Sequence, residues 1–154
     1  MKHPRPILKW PHEALKTVCA EVTEFDDSLR RLASDLIFTL AKSPRPGVGL
    51  SANQIGDTRR VFLMWDEESG SEPFIFVNPV VIKSRGEQTG IEGCLSLEPS
   101  DDCKVTRAKI INWVAADLDG KGIRGKFSGF DARVFLHEMD HIDGIMIFDR
   151  KAKS

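Results

Sequence analysis

Two segments with helical patterning enclose a long run of residues typical of strands, and this order restricts the folds open to the chain. The first segment, from Asp26 to Lys42, repeats its leucines at helical spacing, starts at a natural N-cap and stops at a proline-rich break. The second, from Asp131 to Ile142, is expected to close at Gly144 as a C-cap. Parallel strands need crossover helices, and too few helices lie between the strands. The sequence therefore predicts an α+β fold, with mostly antiparallel sheets around the C-terminal helix and an N-terminal amphipathic helix.

The region between the helices contains several predicted strands. Arg60 to Trp65 and Phe74 to Lys83 are rich in Val, Ile and Phe, and Asn78-Pro79 predicts a turn or an edge position within the second. From Lys104 to Lys126, the turn signal Asp119-Gly120 joins two extended arms. We therefore expect a β-hairpin there.

Size and charge favour one domain with a local functional site. A chain of 154 residues suits a single domain, expected over 1–154. Its 22 basic and 23 acidic side chains give a net charge of −1, so the bulk charge does not favour binding to nucleic acid or an anionic membrane. No apolar run is long enough to span a bilayer. Three cysteines, an odd number, argue against a disulfide framework, and with no targeting segment the expected location is the cytoplasm.

The strongest chemical signal is the pattern His137-Glu138-Met139-Asp140-His141, inside the second predicted helix. A spacing of four residues puts both imidazoles on one helix face, where they can chelate a single ion while Glu138 reaches a water on that ion. The alternative is a solvated helix that carries two histidines by chance. The whole chain has only 4 His, which favours the metal site.

A catalytic metal site needs a third protein ligand, and the residues alone leave its identity open. A third histidine six positions beyond His141 is excluded, because that position is Ile147. His3 and His12 lie in a proline-broken stretch, and acidic residues are too numerous to choose among. Cys94, in the glycine-flanked segment 92–96, is the best candidate, although a buried structural cysteine is the usual explanation of such a residue.

The segment 47–54, with the sequence G-V-G-L-S-A-N-Q, superficially matches a dinucleotide-binding fingerprint. That fingerprint follows a strand and opens a helix, whereas this segment follows a helix and a proline break, so nucleotide binding is not expected. Glycines also let a backbone approach a ligand closely, which would leave Gln54 to donate a hydrogen bond. A plain structural turn is the alternative.

Together, G-V-G-L-S-A-N-Q, E-G-C-L-S and H-E-M-D-H in this order resemble the three signature motifs of the peptide deformylases. The resemblance runs from Ile7-Leu8 to Asp149-Arg150. It implies a hydrolase that removes the formyl group from the N-terminal methionine of new proteins. Such an enzyme uses one divalent metal ion, commonly Fe(II) in the cell and replaceable by Zn, Ni or Co. Its partners would be N-formylmethionyl peptides and nascent chains at the ribosome exit, in the cytoplasm of the cell or of a phage host.

The resemblance also implies a role for individual residues. Cys94, His137 and His141 would be the metal ligands, and Glu138 the general acid and base. Gln54 and the backbone N–H of Leu95 would hold the developing oxyanion. The substrate would be bound by a further set of residues: Val48, Phe130, Val134 and His137 around the methionine side chain, and Gly49 and Arg107 along the backbone.

Some positions depart from the family pattern. Ser51 and Asn53 stand where Ala and Pro are commoner, and Leu136 stands where Gln usually precedes the His-Glu pair. The sequence stops shortly after Arg150, without the long C-terminal extension of many bacterial members. The metal and acid/base positions are intact, which predicts an active enzyme.

Two other functions are weighed against deformylation. A zinc metallopeptidase of the H-E-x-x-H kind would cut internal peptide bonds, but it usually needs a longer cleft and a His or Glu as third ligand. A binding module that captures N-terminal peptides without catalysis would have no need of Glu138. Release of formate from a formyl-Met peptide separates these alternatives from a deformylase.

Overall fold

The computed structural model describes residues 4–153 and confirms an α+β fold with antiparallel sheets. Helix α1 spans Asp27–Ala41 and helix α2 spans Gly129–Ile142. The strands are β1 (Gly49–Ser51), β2 (Val61–Met64), β3 (Phe74–Arg85), β4 (Gln88–Glu92), β5 (Cys103–Arg107), β6 (Ile110–Ala116) and β7 (Gly122–Ser128). No helix in the described part is long and apolar enough to cross a membrane.

Helix α1 forms where its N-cap and apolar spacing predict. The Asp26 carboxylate accepts a hydrogen bond from the Leu29 N–H at 3.1 Å, which satisfies one of the free donors at the helix start. Its buried leucines face the core formed with β1 and β2. The helix ends at Ala41 because Pro44 and Pro46 follow and cannot continue it.

The larger sheet has the strand order β1-β2-β3-β6-β7, with every neighbouring pair antiparallel. The predicted interruption at Asn78-Pro79 is confirmed: Asn78 has φ +50°, and the register shifts between Val77 and Val80. The predicted edge position is wrong, because β3 pairs with a strand on each side. Pro79 has no N–H, and the bulge places it where the ladder needs none.

The hairpin predicted around Asp119-Gly120 is confirmed as β6 and β7, with Gly120 at φ +83°. The first part of the same predicted region forms β5, which pairs instead with β4 in a separate two-stranded sheet. Strand β4 was not predicted from the sequence, because it carries one strongly apolar side chain, Ile91, and that residue is 69% exposed. This small sheet leads directly into the loop that contains Cys94.

Helix α2 packs against the large sheet through aromatic side chains. Phe135 contacts Phe62 and Phe76 edge to face, at centroid distances of 5.1 and 5.3 Å. The helix begins two residues before the predicted start and ends at Ile142 as predicted; Asp143 is the C-cap, and Gly144 follows at φ +74°. This packing holds one face of α2 against β1 and the segment after it, where the chemical motifs meet.

Candidate metal centre

Two segments that are distant in sequence meet helix α2 at one place. The helix presents His137 and His141 one turn apart. The loop after β4 carries Cys94, and a single 3-10 turn at Ala52–Ile55 carries Gln54. Gly56, at φ +88°, closes that turn in a conformation that favours glycine.

The ligand atoms of Cys94, His137 and His141 all lie within 4.8 Å of one another. The Nε2 atom of His141 is 3.2 Å from the Sγ atom of Cys94 and 3.1 Å from the Nε2 atom of His137. A thiolate and two imidazoles form a donor set suited to zinc and to neighbouring divalent transition metals. Burial raises the pKa of the Cys94 thiol, but the nearby imidazoles outweigh it and hold that pKa well below its usual value.

The two other histidines weighed as ligands are not part of this group. The Nδ1 atom of His12 accepts a hydrogen bond from the Ala14 N–H and caps a short turn near the surface. His3 lies outside the described residues. Cys94 is therefore the residue that stands with the two helix histidines, as the resemblance implies.

Glu138 lies beside these three residues and is closely packed. It is 3% exposed, and its Oε1 atom has no hydrogen-bond partner among the described residues. Its Oε2 atom lies 2.6 Å from the point where a Cβ on residue 49 would stand, so any larger residue there would displace the Glu138 carboxyl. Burial raises the pKa of the Glu138 carboxyl. A carboxyl group that holds a proton more readily than usual suits an acid/base role near neutral pH.

Gln54 points its amide N–H₂ toward Cys94. Its Oε1 atom accepts hydrogen bonds from the N–H and the hydroxyl of Ser51, each at 3.0 Å, which fixes the orientation of the amide. Its Nε2 atom donates to the Ser96 hydroxyl at 3.0 Å and lies 3.7 Å from the Cys94 Sγ atom. The backbone N–H of Leu95 has no protein acceptor within residues 4–153. Two donors are thus held next to the ligand group.

A cleft of about 660 Å³ opens over these groups. Its walls include most of the predicted site residues: Val48, Gly49, Gln54, Cys94, Leu95, Phe130, Val134, His137 and Glu138. His141 lies behind them, 1% exposed, with its Nε2 atom toward the other ligands. A substrate in this cleft would reach the ligand group, the carboxyl and both amide donors together.

Comparison with known proteins identifies the family to which this arrangement belongs. The family profile of the polypeptide deformylases matches residues 4–154. The chain belongs to the peptide deformylase family. It is 38% identical over 146 residues to the peptide deformylase of Dictyoglomus thermophilum, which covers 95% of this chain and 92% of that protein.

Solved deformylase structures have the same fold. The crystal structure of peptide deformylase from Thermotoga maritima superimposes with a TM-score of 0.90 at 31% identity and covers 98% of this chain and 99% of that one. The Legionella pneumophila deformylase gives 0.90 at 34% identity, with 97% and 87% covered. The chain is accordingly a metal-dependent hydrolase that removes the N-terminal formyl group from nascent polypeptides.

Arg107 does not lie where the resemblance to the family implies. Arg107 was expected to meet the substrate backbone, but it is 7% exposed and is not among the described residues that line the cleft. Its guanidinium donates to both oxygens of Glu92, each at 2.9 Å, and to Asp140. A buried guanidinium whose donors face two carboxylates is occupied within the protein, so Arg107 supports the site from behind.

Glu92, which no sequence pattern singled out, organises the deformylase site. Glu92 accepts hydrogen bonds from His137 Nδ1–H at 2.9 Å and from Arg133 at 2.6 Å, besides those from Arg107. Burial raises the pKa of Glu92, but these donors outweigh it and hold that pKa below its usual range. The bond to Nδ1 leaves the Nε2 atom of His137 directed at the other ligands. The available signal was the Glu two residues before Cys94 in the second motif.

Proposed function

We propose that Cys94, His137 and His141 hold the metal ion of this deformylase, and that Glu138, Gln54 and the Leu95 N–H carry out the hydrolysis beside it. The observation behind this proposal is the convergence of one sulfur and two imidazole nitrogens beneath a cleft that also contains the Glu138 carboxyl. Bound there, a divalent ion would supply Lewis acidity, lowering the pKa of a water and polarising the formyl oxygen. We propose Fe(II) as the resident ion, with Zn, Ni or Co able to replace it.

Glu138 moves the proton in this mechanism. Its carboxylate takes a proton from the attacking water and returns it to the amine of the methionine as the C–N bond breaks. The buried position keeps bulk water from competing for that proton. The raised pKa of the carboxyl matches a group that must both accept and release a proton at neutral pH.

Gln54 and Leu95 stabilise the charge that grows on the formyl oxygen. The Gln54 amide is fixed by Ser51. The Leu95 N–H belongs to a peptide group whose carbonyl oxygen, on Cys94, accepts a hydrogen bond from Arg45. Donors that are oriented before the reaction bind the tetrahedral oxyanion better than the planar formyl group, and so they lower the barrier.

The cleft walls account for the choice of substrate. Val48, Phe130 and Val134 form an apolar surface for the methionine side chain, together with His137. Burying such a side chain contributes about 1.5 to 3 kcal/mol. An acetyl group would bring a methyl against the backbone near Gly49 and Leu95, whereas a formyl group carries only hydrogen there.

The test measures three peptides with the metal-loaded protein. Formyl-Met-Ala peptides should release formate, acetyl-Met peptides should stay intact, and formyl-Gly peptides should react at least about tenfold more slowly in kcat/KM. Mass spectrometry identifies each product. Cleavage of an internal bond in an unformylated peptide, without formate from the first substrate, would instead support a metallopeptidase.

The partners and setting follow from the substrate. We propose that residues 1–154 act as one catalytic domain in the cytoplasm, on nascent chains as they leave the ribosome. The net charge of −1 gives the chain no bulk electrostatic attraction to ribosomal RNA. Recognition would therefore depend on the emerging N-terminus itself.

A further inference from the structure

The peptide group between Cys94 and Leu95 has an arginine at its carbonyl oxygen. The Arg45 Nη1 atom donates to the carbonyl oxygen of Cys94 at 3.3 Å and to that of Leu97 at 2.7 Å. Arg45 lies in the loop between α1 and β1, and its Nη2 atom is 3.6 Å from an Asp102 carboxylate oxygen. Two backbone carbonyls and one carboxylate therefore hold the guanidinium against this loop, where Arg45 also forms part of the cleft wall.

The carbonyl of Cys94 and the N–H of Leu95 belong to the same planar peptide group. A cation at the oxygen of a peptide group draws electron density toward that oxygen and makes the N–H at the other end a stronger donor. The same contact fixes the plane of the group, which determines where the N–H points. Arg45 thus acts on Leu95 N–H through the peptide bond, without touching the substrate oxygen.

Neighbouring groups hold Leu95 from two further directions. A Cβ at residue 47 would lie 2.8 Å from Cδ1 of Leu95, so the glycine lets this side chain pack against the 43–47 loop. On the other side, Lys9 Nζ donates to the carbonyl of Leu95 at 2.6 Å. That carbonyl belongs to the next peptide group, between Leu95 and Ser96.

We propose that Arg45 is a positioning residue for deformylation, which orients and polarises the Cys94–Leu95 peptide so that Leu95 N–H stabilises the oxyanion. The inference rests on the proposed role of Leu95. Lys9 provides a matched comparison, because it also places a cation on a carbonyl of this loop but acts on a peptide group without the oxyanion donor.

The kinetic test compares Arg45→Met, Arg45→Lys and Lys9→Met at equal metal content. Full loss of an oxyanion donor costs about a hundred- to a thousandfold in kcat, so a weakened and less well oriented donor should cost about tenfold. We expect Arg45→Met to lower kcat by that amount with little change in KM, and Arg45→Lys to recover most of it. Lys9→Met should leave kcat within about twofold, because its peptide group carries no such donor.

A second measurement observes the donor without catalysis. Among the 3 cysteines, only Cys94 precedes a leucine, so labelling cysteine carbonyl carbons with ¹³C and leucine nitrogens with ¹⁵N selects the Leu95 amide alone. In the zinc-loaded protein, which is diamagnetic, this NMR signal should shift in Arg45→Met and stay close to its original position in Lys9→Met.

The outcomes separate this inference from the proposed function. Equal kcat losses in Arg45→Met and Lys9→Met, a loss confined to KM, or a Leu95 amide signal that does not move in Arg45→Met would each overturn the role of Arg45. Absence of formate release by the unmodified protein would instead overturn the proposed function, whatever the NMR signal shows. If Arg45→Met does not fold, Arg45→Lys and Asp102→Asn, which loosens the outer anchor of Arg45, provide the same comparison with smaller expected shifts.

Discussion

The side-chain amide of Asn53 donates a hydrogen bond to the backbone carbonyl of His141, which joins the first chemical motif to the third. The Oδ1 atom of Asn53 in turn accepts a hydrogen bond from the Ser51 hydroxyl at 2.8 Å. The side chains of Ser51 and Asn53 are both 0% exposed. The departures from the family pattern at Ser51 and Asn53 are therefore linked, and together they fix the segment carrying Gln54 to the last turn of α2.

Asn53→Ala should destabilise the protein, because it removes the hydrogen bond to the His141 carbonyl and one of the two acceptors of the Ser51 hydroxyl. One intramolecular hydrogen bond contributes about 0.5 to 1.5 kcal/mol, so the loss of two should lower the free energy of unfolding in denaturant by about 1 to 3 kcal/mol. The double variant with Ser51→Ala should be less destabilised than the sum of the two single variants, because the two side chains share one hydrogen bond. Strict additivity would contradict the link between them.

Glu138→Gln should abolish nearly all turnover while metal content and fold are retained. The amide has the same shape as the carboxyl but cannot accept and return a proton. Because burial disfavours the charged carboxylate, the neutral amide should leave the melting temperature unchanged or higher. The measurements are formate release, metal analysis and thermal unfolding of the same preparation. A nearly normal rate would require another base.

Metal binding should depend on one of the three cysteines. Cys94→Ala should lose the ion, whereas Cys19→Ala and Cys103→Ala should keep it, because those two thiols lie outside the ligand group. Burial raises the pKa of the Cys19 thiol to about 12, so it should also resist alkylation in the folded protein. Elemental analysis of variants purified without air decides the matter. Full metal content in Cys94→Ala would contradict the assignment.

The Asp57–Arg59 pair should make stability depend on pH at the acid end. Burial raises the pKa of Asp57, but hydrogen bonds from Arg59 outweigh it and leave that pKa below its usual value of 3.8. A lowered pKa in the folded state means that the stabilisation is present above 3.8 and is lost as the pH falls through the folded value. Asp57→Asn should flatten this part of the curve in urea titrations, and an unchanged curve would contradict the role of the pair.

Local patterns in the sequence were enough to predict the elements whose stability is local. The N-cap at Asp26, the spacing of the leucines in α1 and the turn at Asp119-Gly120 each act within a few residues, and each forms as expected. The same holds for the four-residue spacing of the two helix histidines. Helix α2 needs no distant partner to bring their imidazoles to one face.

Features that depend on distant partners could not be predicted in this way. Strand β4 exists because β5 pairs with it, and its own sequence, with Gly90 and an exposed Ile91, carries little strand signal. The burial of Arg107 depends on Glu92 and Asp140, from two other segments. The local sequence Val105-Thr106-Arg107 is compatible with a buried, ion-paired guanidinium and equally with one that binds substrate.

Glu92→Gln should be the most damaging single change near the site, because three cationic or donating groups face its carboxylate: Arg107, Arg133 and His137. Removing one partner from a buried ion pair costs about 3 to 5 kcal/mol of unfolding free energy. Loss of the bond that orients a ligand imidazole typically weakens metal binding by about 10- to 100-fold.

The control for Glu92→Gln is an ion pair of the same length at the surface. Arg30 and Asp119 are 2.9 Å apart, as are Arg107 and Glu92, but the Asp119 side chain is 77% exposed and that of Glu92 only 4%. Asp119→Asn should therefore cost about 0 to 1 kcal/mol and leave metal affinity unchanged. Denaturant unfolding and competition with a metal chelator measure both quantities. Similar losses in the two variants would mean that burial of Glu92 does not determine its contribution.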